Sequence, residues 1–303
     1  MTRQEKRRLF RFLASQRYGC ISVAVLAVLL MTGAATPAHA GTSAENQVWI
    51  GPDGKPLPFR TNEEIEEFLL AAEIVEMEEI PVGITDPRKA LLEKDSIQLS
   101  ACYRDVDIYR RQETLPGIGV RRNWRDCCKF ECAAYELGKL LGLNNIPPVV
   151  MREIKGEEIT LQIWLEGALM ETDRANLKKN PPNPWRHGMQ WQVMHIFDAL
   201  IHNDDRNAGN MLYDKDWKLW LIDHTRCFPR ISDLPQNLKV KHCERNLWEN
   251  LQGIDEDALE EHIAPYLESA ELKALFKRRT KLIKHIEELI EQRGEKRVLF
   301  SFY

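Results

Sequence analysis

The stretch HNDDRNAGNMLYDKDWKLWLIDHTRCF, residues 202–228, gathers acids and amides around a short apolar run. Asp205, Asn210 and Asp223 are its chemically capable side chains: two carboxylates and an amide oxygen, all hard donors. Such donors suit magnesium or manganese, which keep several waters and need few protein ligands. Asp223 ends the run Leu219–Trp220–Leu221–Ile222, and a carboxylate beside so apolar a run requires a positive partner. A divalent cation held by Asn210 and Asp223 would be that partner. Asp205 has a different use, taking the proton of an attacking hydroxyl. Arg206 would balance charge or contact a phosphate, and Gly209 lets the backbone turn tightly before Asn210.

These groups converge only if flanking elements hold them. NMLYD and KLWLID read as a hairpin around Asp214–Lys215–Asp216. MQWQVMHIFDALI before the polar loop reads as a helix, with Val193, Phe197, Leu200 and Ile201 on one side. NPPNP near residue 180 breaks the chain and marks a lobe boundary. Upstream, PPVVMREIKGEEITLQIWLEG predicts a hairpin around Lys155–Gly156. NWRDCCKFECAAYELGKLLGL has helical spacing, with Asn123 as its cap and Gly142 as its stop. Ser96–Tyr109 predicts one strand, and TNEEIEEFLLAAEIVEM a helix opened by a Thr61–Glu64 capping box. Leu272, Leu275, Phe276, Ile283, Ile286 and Ile290 predict a helical tail, with Lys277, Arg278, Arg279 and Lys281 on a solvated face. The expected architecture is α+β and bilobal: a small mixed lobe over 61–180 and a mostly helical large lobe over 181–303.

The first forty residues stand apart. A basic n-region, the apolar stretch Cys20–Met31 and Ala38–His39–Ala40 predict a secretory signal; the alternative is a membrane anchor over residues 20–36. Either way the chain is exported, periplasmic or extracellular, and it touches a membrane only if that segment is uncleaved. Residues 41–60 read as a linker. Losing residues 1–40 removes six basic residues and one acid, leaving 36 against 45, a net charge of −9. So acidic a body argues against nucleic acid as a partner. The six remaining cysteines show no zinc spacing and read equally as disulfide-forming or as buried thiols.

DDRNAGNMLYDKDWKLWLIDH resembles the catalytic and metal-binding segment of the phosphatidylinositol 3-/4-kinase-like and related atypical kinases, where D-R-x-x-x-N, a hairpin and I-D-[FH] follow in order. LIDHTRCF is similar to a small group of exported bacterial proteins of that fold, and to secretory-pathway kinases. The resemblance is specific across 203–228 and loose over 62–290. It implies a bilobal protein-kinase-like fold, ATP as co-substrate, Mg2+ or Mn2+, and phosphate transfer to an acceptor of protein, lipid or sugar type. It implies Asp205 as the catalytic aspartate and Asn210 and Asp223 as metal ligands. Glu131 would be the helix acid that pairs with a strand cation behind the phosphates. That cation is Arg104, where the family pattern has lysine; Lys89 or Lys129 would be the substitutes. Trp164, Leu165 and Glu166 would meet the adenine. VGITDPRKALL would cover the phosphates with only Gly83.

Two other readings are open. Arg104 favours a pseudokinase-like module that binds a nucleotide or partner without chemistry. His202 and His224, with Asp204 or Asp223, would instead serve a metal-dependent hydrolase. In the first reading both histidines orient the loop by hydrogen bonds.

Overall fold

The computed structural model describes residues 47–80, 87–115 and 117–302. Thr61 caps α1 (Asn62–Ala71) through the expected box: its Oγ1 accepts from Glu64 N at 3.3 Å, and Glu64 Oε2 accepts from Thr61 N at 3.4 Å. Ile65, Phe68 and Leu69 form the buried face. The helix does not reach Met77; the backbone is extended at Ala72 and continues as β1 (Glu73–Glu79). Continuing the helix would have turned Glu73 and Glu76 onto its apolar face, whereas an edge strand leaves them in water.

β2 (Arg88–Lys94), β3 (Ile97–Arg104), β6 (Val149–Ile154) and β7 (Glu157–Ile163) complete an antiparallel sheet of order β1-β2-β3-β7-β6. Lys155 and Gly156 turn the β6–β7 hairpin, both with positive φ, 54° and 84°, as a two-residue primed turn requires. The single strand expected over Ser96–Tyr109 is two. β3 ends at Arg104, and β4 (Asp107–Leu115) pairs with β5 (Gly119–Cys127) in a separate two-stranded ribbon. The break at Asp105–Val106 lets Val106 O accept from Cys128 N at 2.8 Å, anchoring the start of α2 (Lys129–Leu140). Asn123 therefore lies within β5 and caps nothing; Gly142, φ 72°, follows the helix end as expected. The expected linker is mostly exposed where it is described, but one residue of it anchors to the core. Trp49 is buried against Trp220, their ring centroids 5.3 Å apart.

β8 (Leu169–Met170) leads into α3 (Glu171–Asn176) and pairs with β9 (Met211–Tyr213), which pairs in turn with β10 (Leu219–Leu221). Asn183 caps α4 (Pro184–Ile201), its Oδ1 accepting from Arg186 N at 2.9 Å with Pro184 in the first turn. β11 (Cys243–Glu244), α5 (Arg245–Gly253), α6 (Glu256–Ile263), α7 (Ser269–Arg293), α8 (Glu295–Val298) and β12 (Leu299–Phe300) follow. Phe197, Leu200, Leu247, Leu251, Leu275, Leu282 and Ile286 meet in their common core.

Only half of the basic run of α7 is a solvated face: Lys277 and Lys281 are exposed, and the two arginines turn inward. Arg278 is fully buried, donating from Nε to Leu200 O at 2.7 Å and from Nη1 to Pro229 O at 3.0 Å. Arg279 donates to the carbonyls of Leu251, Gln252 and Ile254. Both guanidiniums satisfy carbonyls at helix ends, where a cation also suits the helix dipole. All six cysteines of the described part are free and buried, so Cys128 and Cys132 are not paired. Residues 1–46, with the signal or anchor, lie outside the described residues, as does Gly83. Among the described residues no helix is long and apolar enough to cross a membrane.

Candidate active site

Four separate stretches of chain supply one cleft of about 360 Å³. Arg104 enters from the end of β3, Trp164 and Leu165 from the segment after β7, Asp205 and Asn210 from the polar loop, and Asp223 from the end of the β9–β10 hairpin.

The loop is built around an inward-facing arginine. Arg206 does not reach outward to a phosphate. It donates from Nε to Asp198 Oδ2 at 3.0 Å, and from Nη1 to Asn210 O and Ile222 O, both at 2.8 Å. One guanidinium thus ties the last turn of α4 to both strands of the hairpin that carries Asp223. Asn203 Oδ1 accepts from Asp205 N at 2.9 Å and fixes the aspartate's backbone. Asn207 Oδ1 accepts from Gly209 N at 2.8 Å, starting the short 3-10 turn Ala208–Asn210. Asn210 then donates from Nδ2 to Asp205 O at 3.2 Å. Asp223 follows with φ 61°, a left-handed conformation that is uncommon for a residue with a side chain and clusters at functional sites.

Glu131, in the first turn of α2, is wholly buried and stands behind the cleft. Its Oε1 lies 3.6 Å from Arg104 Nε, an ionic contact too long for a hydrogen bond. The expected approach of strand cation and helix acid is therefore present. Glu131 also accepts from His224 N at 3.0 Å, and its Oε2 sits 3.0 Å from His224 Nδ1. His224 Nε2 faces Arg206 Nη2 at 3.1 Å. Arginine can only donate, so Nε2 accepts and Nδ1 carries the proton. Burial pushes the Glu131 carboxyl up, but His224 and Arg104 outweigh it and hold the group below its ordinary value. Arg104 Nη1 reaches Asp223 Oδ1 at 3.0 Å, so one guanidinium bridges two carboxylates. Burial works against its charge, yet the acids around it keep it firmly protonated.

Asp205 keeps a partly exposed carboxylate, 42% accessible. Burial raises its pKa above the ordinary value, with Arg226 pulling the other way. Arg226 donates from Nη1 to Asp205 Oδ2 at 3.1 Å and from Nε to Asp126 Oδ2 at 2.7 Å.

Not every expected residue reaches the cleft. Glu166 faces a neighbouring cavity of about 240 Å³ and binds Lys89 Nζ at 2.8 Å. The N–H of Trp164 is spent on Ser100 O at 2.8 Å. Lys129 pairs with Glu158, away from the cleft lining. His202 lies 3.6 Å from Asp204 and 3.1 Å from the Asp233 carbonyl. Asp198, Asn203, Asp126 and Arg226 were not singled out from the sequence. An acid in the apolar run IFDALI was a readable signal for Asp198. Arg226, three residues past Asp223 in LIDHTRCF, gave none on its own.

No protein-family model matches the chain, and no curated protein is significantly similar to it. Solved structures do match. A hydra Fam20 structure with sugar superposes with a TM-score of 0.61 at 16% identity, covering 80% of this chain and 92% of that one. A Golgi casein kinase with Mn and ADP bound superposes with a TM-score of 0.57 at 16% identity, covering 78% of each chain. The fold is protein-kinase-like. Its small lobe is the five-stranded sheet with α1 and α2, and its large lobe the helical part around α4 and α7. The phosphatidylinositol-kinase branch of the resemblance is not distinguished by these matches.

Proposed function

We propose that this chain is a metal-dependent phosphotransferase that moves the γ-phosphate of ATP to a hydroxyl. One observation carries the reading: Arg104, Asp205, Asn210 and Asp223, scattered over the sequence, line a single cleft in a kinase-like fold. A similar fold has been solved with Mn and ADP bound, which supports the choice of co-substrate and metal.

The donors fit magnesium or manganese. Asn210 turns its Nδ2 to Asp205 O, leaving Oδ1 to ligate. Asp223 gives Oδ1 to Arg104 and keeps Oδ2. Among the described residues no three His, Cys, Asp or Glu groups converge, so phosphate and water would supply the other ligands. When bound, the ion would bridge phosphate oxygens and offset their charge. The hydrolase reading has less support, because both His224 nitrogens are already engaged by Glu131 and Arg206.

In this reading Asp205 takes the hydroxyl proton, while Arg226 holds one carboxylate oxygen and leaves the other for the acceptor. Arg104 steadies Asp223, and Glu131 steadies Arg104. Adenine contacts fall to the backbone at Leu165, since the Trp164 N–H is taken and Glu166 faces the neighbouring cavity. Export by residues 1–40 belongs to the same proposal.

The test is a thermal-shift titration of the chain with ATP and Mg2+ or Mn2+, followed by ADP-release and phosphate-transfer assays. Ligand at a hundred times its Kd stabilises by about 2.7 kcal/mol. No shift with ATP and metal would sink the proposal. The Arg104–Asp223 pair at 3.0 Å favours one second reading, a non-catalytic nucleotide-binding module. That reading predicts a metal-independent shift and no ADP release.

A further inference from the structure

A second cavity, of about 260 Å³, opens on the other side of Asp205. Asp205 and Arg226 line both it and the nucleotide cleft, and no other residue does. A group in this second cavity therefore reaches Asp205 without entering the space assigned to the phosphates.

The walls show what it would hold. The accessible apolar floor is Leu115, Ile118 and Trp124, backed by Phe130 and Phe228, which are buried with ring centroids 5.7 Å apart. The β5 ribbon forms one wall, with Arg121, Arg122, Trp124 and Arg125. The cavity lining contains four arginines and three acids. Three of the arginines are matched within the lining: Arg121 with Asp204, Arg125 with Glu271, and Arg226 with Asp205. Arg122 remains; among the described residues it has no ion-pair partner, and it is exposed. The lining therefore carries one uncompensated positive charge above an apolar floor.

From this we infer that the second cavity is the acceptor pocket, and that its acceptor is a small hydroxy compound carrying an anion, a carboxylate or a phosphate. The inference rests on the phosphotransferase reading. The anion pairs with Arg122, the carbon skeleton lies on Ile118 and Trp124, and the hydroxyl points to Asp205. The hydroxyl oxygen bonds to the γ-phosphorus, and the bond from that phosphorus to the bridging oxygen breaks. ADP leaves with the electron pair, and the hydroxyl proton passes to the Asp205 carboxylate.

The experiment compares three compounds with one ring skeleton: glucuronate, glucose 6-phosphate and neutral glucose. Binding to the full chain is read by calorimetry, and phosphate transfer from ATP with Mg2+ by product analysis. At least one anion should bind saturably and be phosphorylated with kcat/KM about tenfold or more above glucose, the worth of one charge-assisted contact. The carboxylate and phosphate arms show which anion is preferred. Arg122→Ala should abolish that preference while ATP affinity stays unchanged. Arg122→Lys keeps the charge and should restore part of it. Saturable binding of neither anion, or equal use of glucose, overturns the inference, as does a preference that survives Arg122→Ala. ATP titration in the same samples separates the failures. Without ATP binding the phosphotransferase reading falls; with ATP binding but no anion preference only this inference falls.

Discussion

Arg226 and Asp205 are joined by a 3.1 Å hydrogen bond at the junction of the two cavities. The guanidinium is held in turn by Asp126, which is fully buried. In the proposed reaction a positive charge so placed would lie close to where negative charge develops on the transferring phosphoryl group. Arg226→Gly should lower kcat by about a hundredfold or more with ATP affinity little changed, and added guanidinium should recover part of it. Equal loss of ATP binding, or no rescue, would assign Arg226 a purely structural role.

Asp205→Asn should reduce turnover by about 10²- to 10⁴-fold and leave nucleotide binding nearly intact, the pattern of an interaction made in the transition state. Stability should move the other way. The folded pKa of Asp205 is raised, so at neutral pH its ionised form weighs against the native state. The Asn variant should melt at the same temperature as the parent or higher at pH 7, and that advantage should vanish as pH falls below the carboxylate range. A variant that melts lower at pH 7 would contradict the sign.

Asp223→Asn removes the charge that Arg104 faces at 3.0 Å, along with one proposed metal ligand. Metal-dependent nucleotide stabilisation should disappear while the circular dichroism spectrum is retained. Arg104→Lys separates the two functional readings. If arginine is an adapted part, lysine lowers transfer; if it is a lesion, lysine raises it.

Glu131→Ala strips Arg104 and His224 of their buried acid and should destabilise the fold by about 3–5 kcal/mol. The pH dependence has a definite sign. Its folded pKa lies below the model-compound value of 4.5, so its stabilisation is present above that pH and is lost as pH falls through the folded value. Melting curves from pH 7 to 3 should show the parent losing stability that Glu131→Gln, already less stable, does not lose. Parallel curves would remove Glu131 from the acid response.

Arg278→Met should destabilise by about 1–3 kcal/mol, since Leu200 and Pro229 lose a buried donor to their carbonyls. An unchanged melting temperature would show that water replaces the guanidinium.

How far the chain could be read in advance follows from how local each signal was. The β9–β10 and β6–β7 hairpins announce themselves in a few residues, through turn chemistry between apolar runs. Asp205, Asn210 and Asp223 stood out by their spacing within one short segment, and the fold brings all three to one cleft. The Arg104–Glu131 contact was reached only through the family resemblance, and the geometry agrees with it. Signals that depend on distant partners were misread. Arg278 looks like one member of a surface basic run, and its true partners, Leu200 and Pro229, lie far away in sequence. Arg226 went unread for the same reason, since its placement depends on Asp126, a hundred residues earlier. The short turn at Asp105–Val106 hid the ribbon, because apolar and polar residues alternate across it as they would in one strand.

The six buried thiols give the protein an internal clock. Burial raises their pKa values, Cys128 to about 11 and Cys127 to about 12, so little reactive thiolate exists while the chain is closed. Cys102 sits in the sheet, Cys127, Cys128 and Cys132 at the start of α2, and Cys227 and Cys243 in the large-lobe core. The order in which a thiol reagent labels them ranks how readily each neighbourhood opens, without any introduced probe. A nucleotide that clamps the two lobes would slow the first of these clocks to tick, whether or not a phosphate is ever transferred.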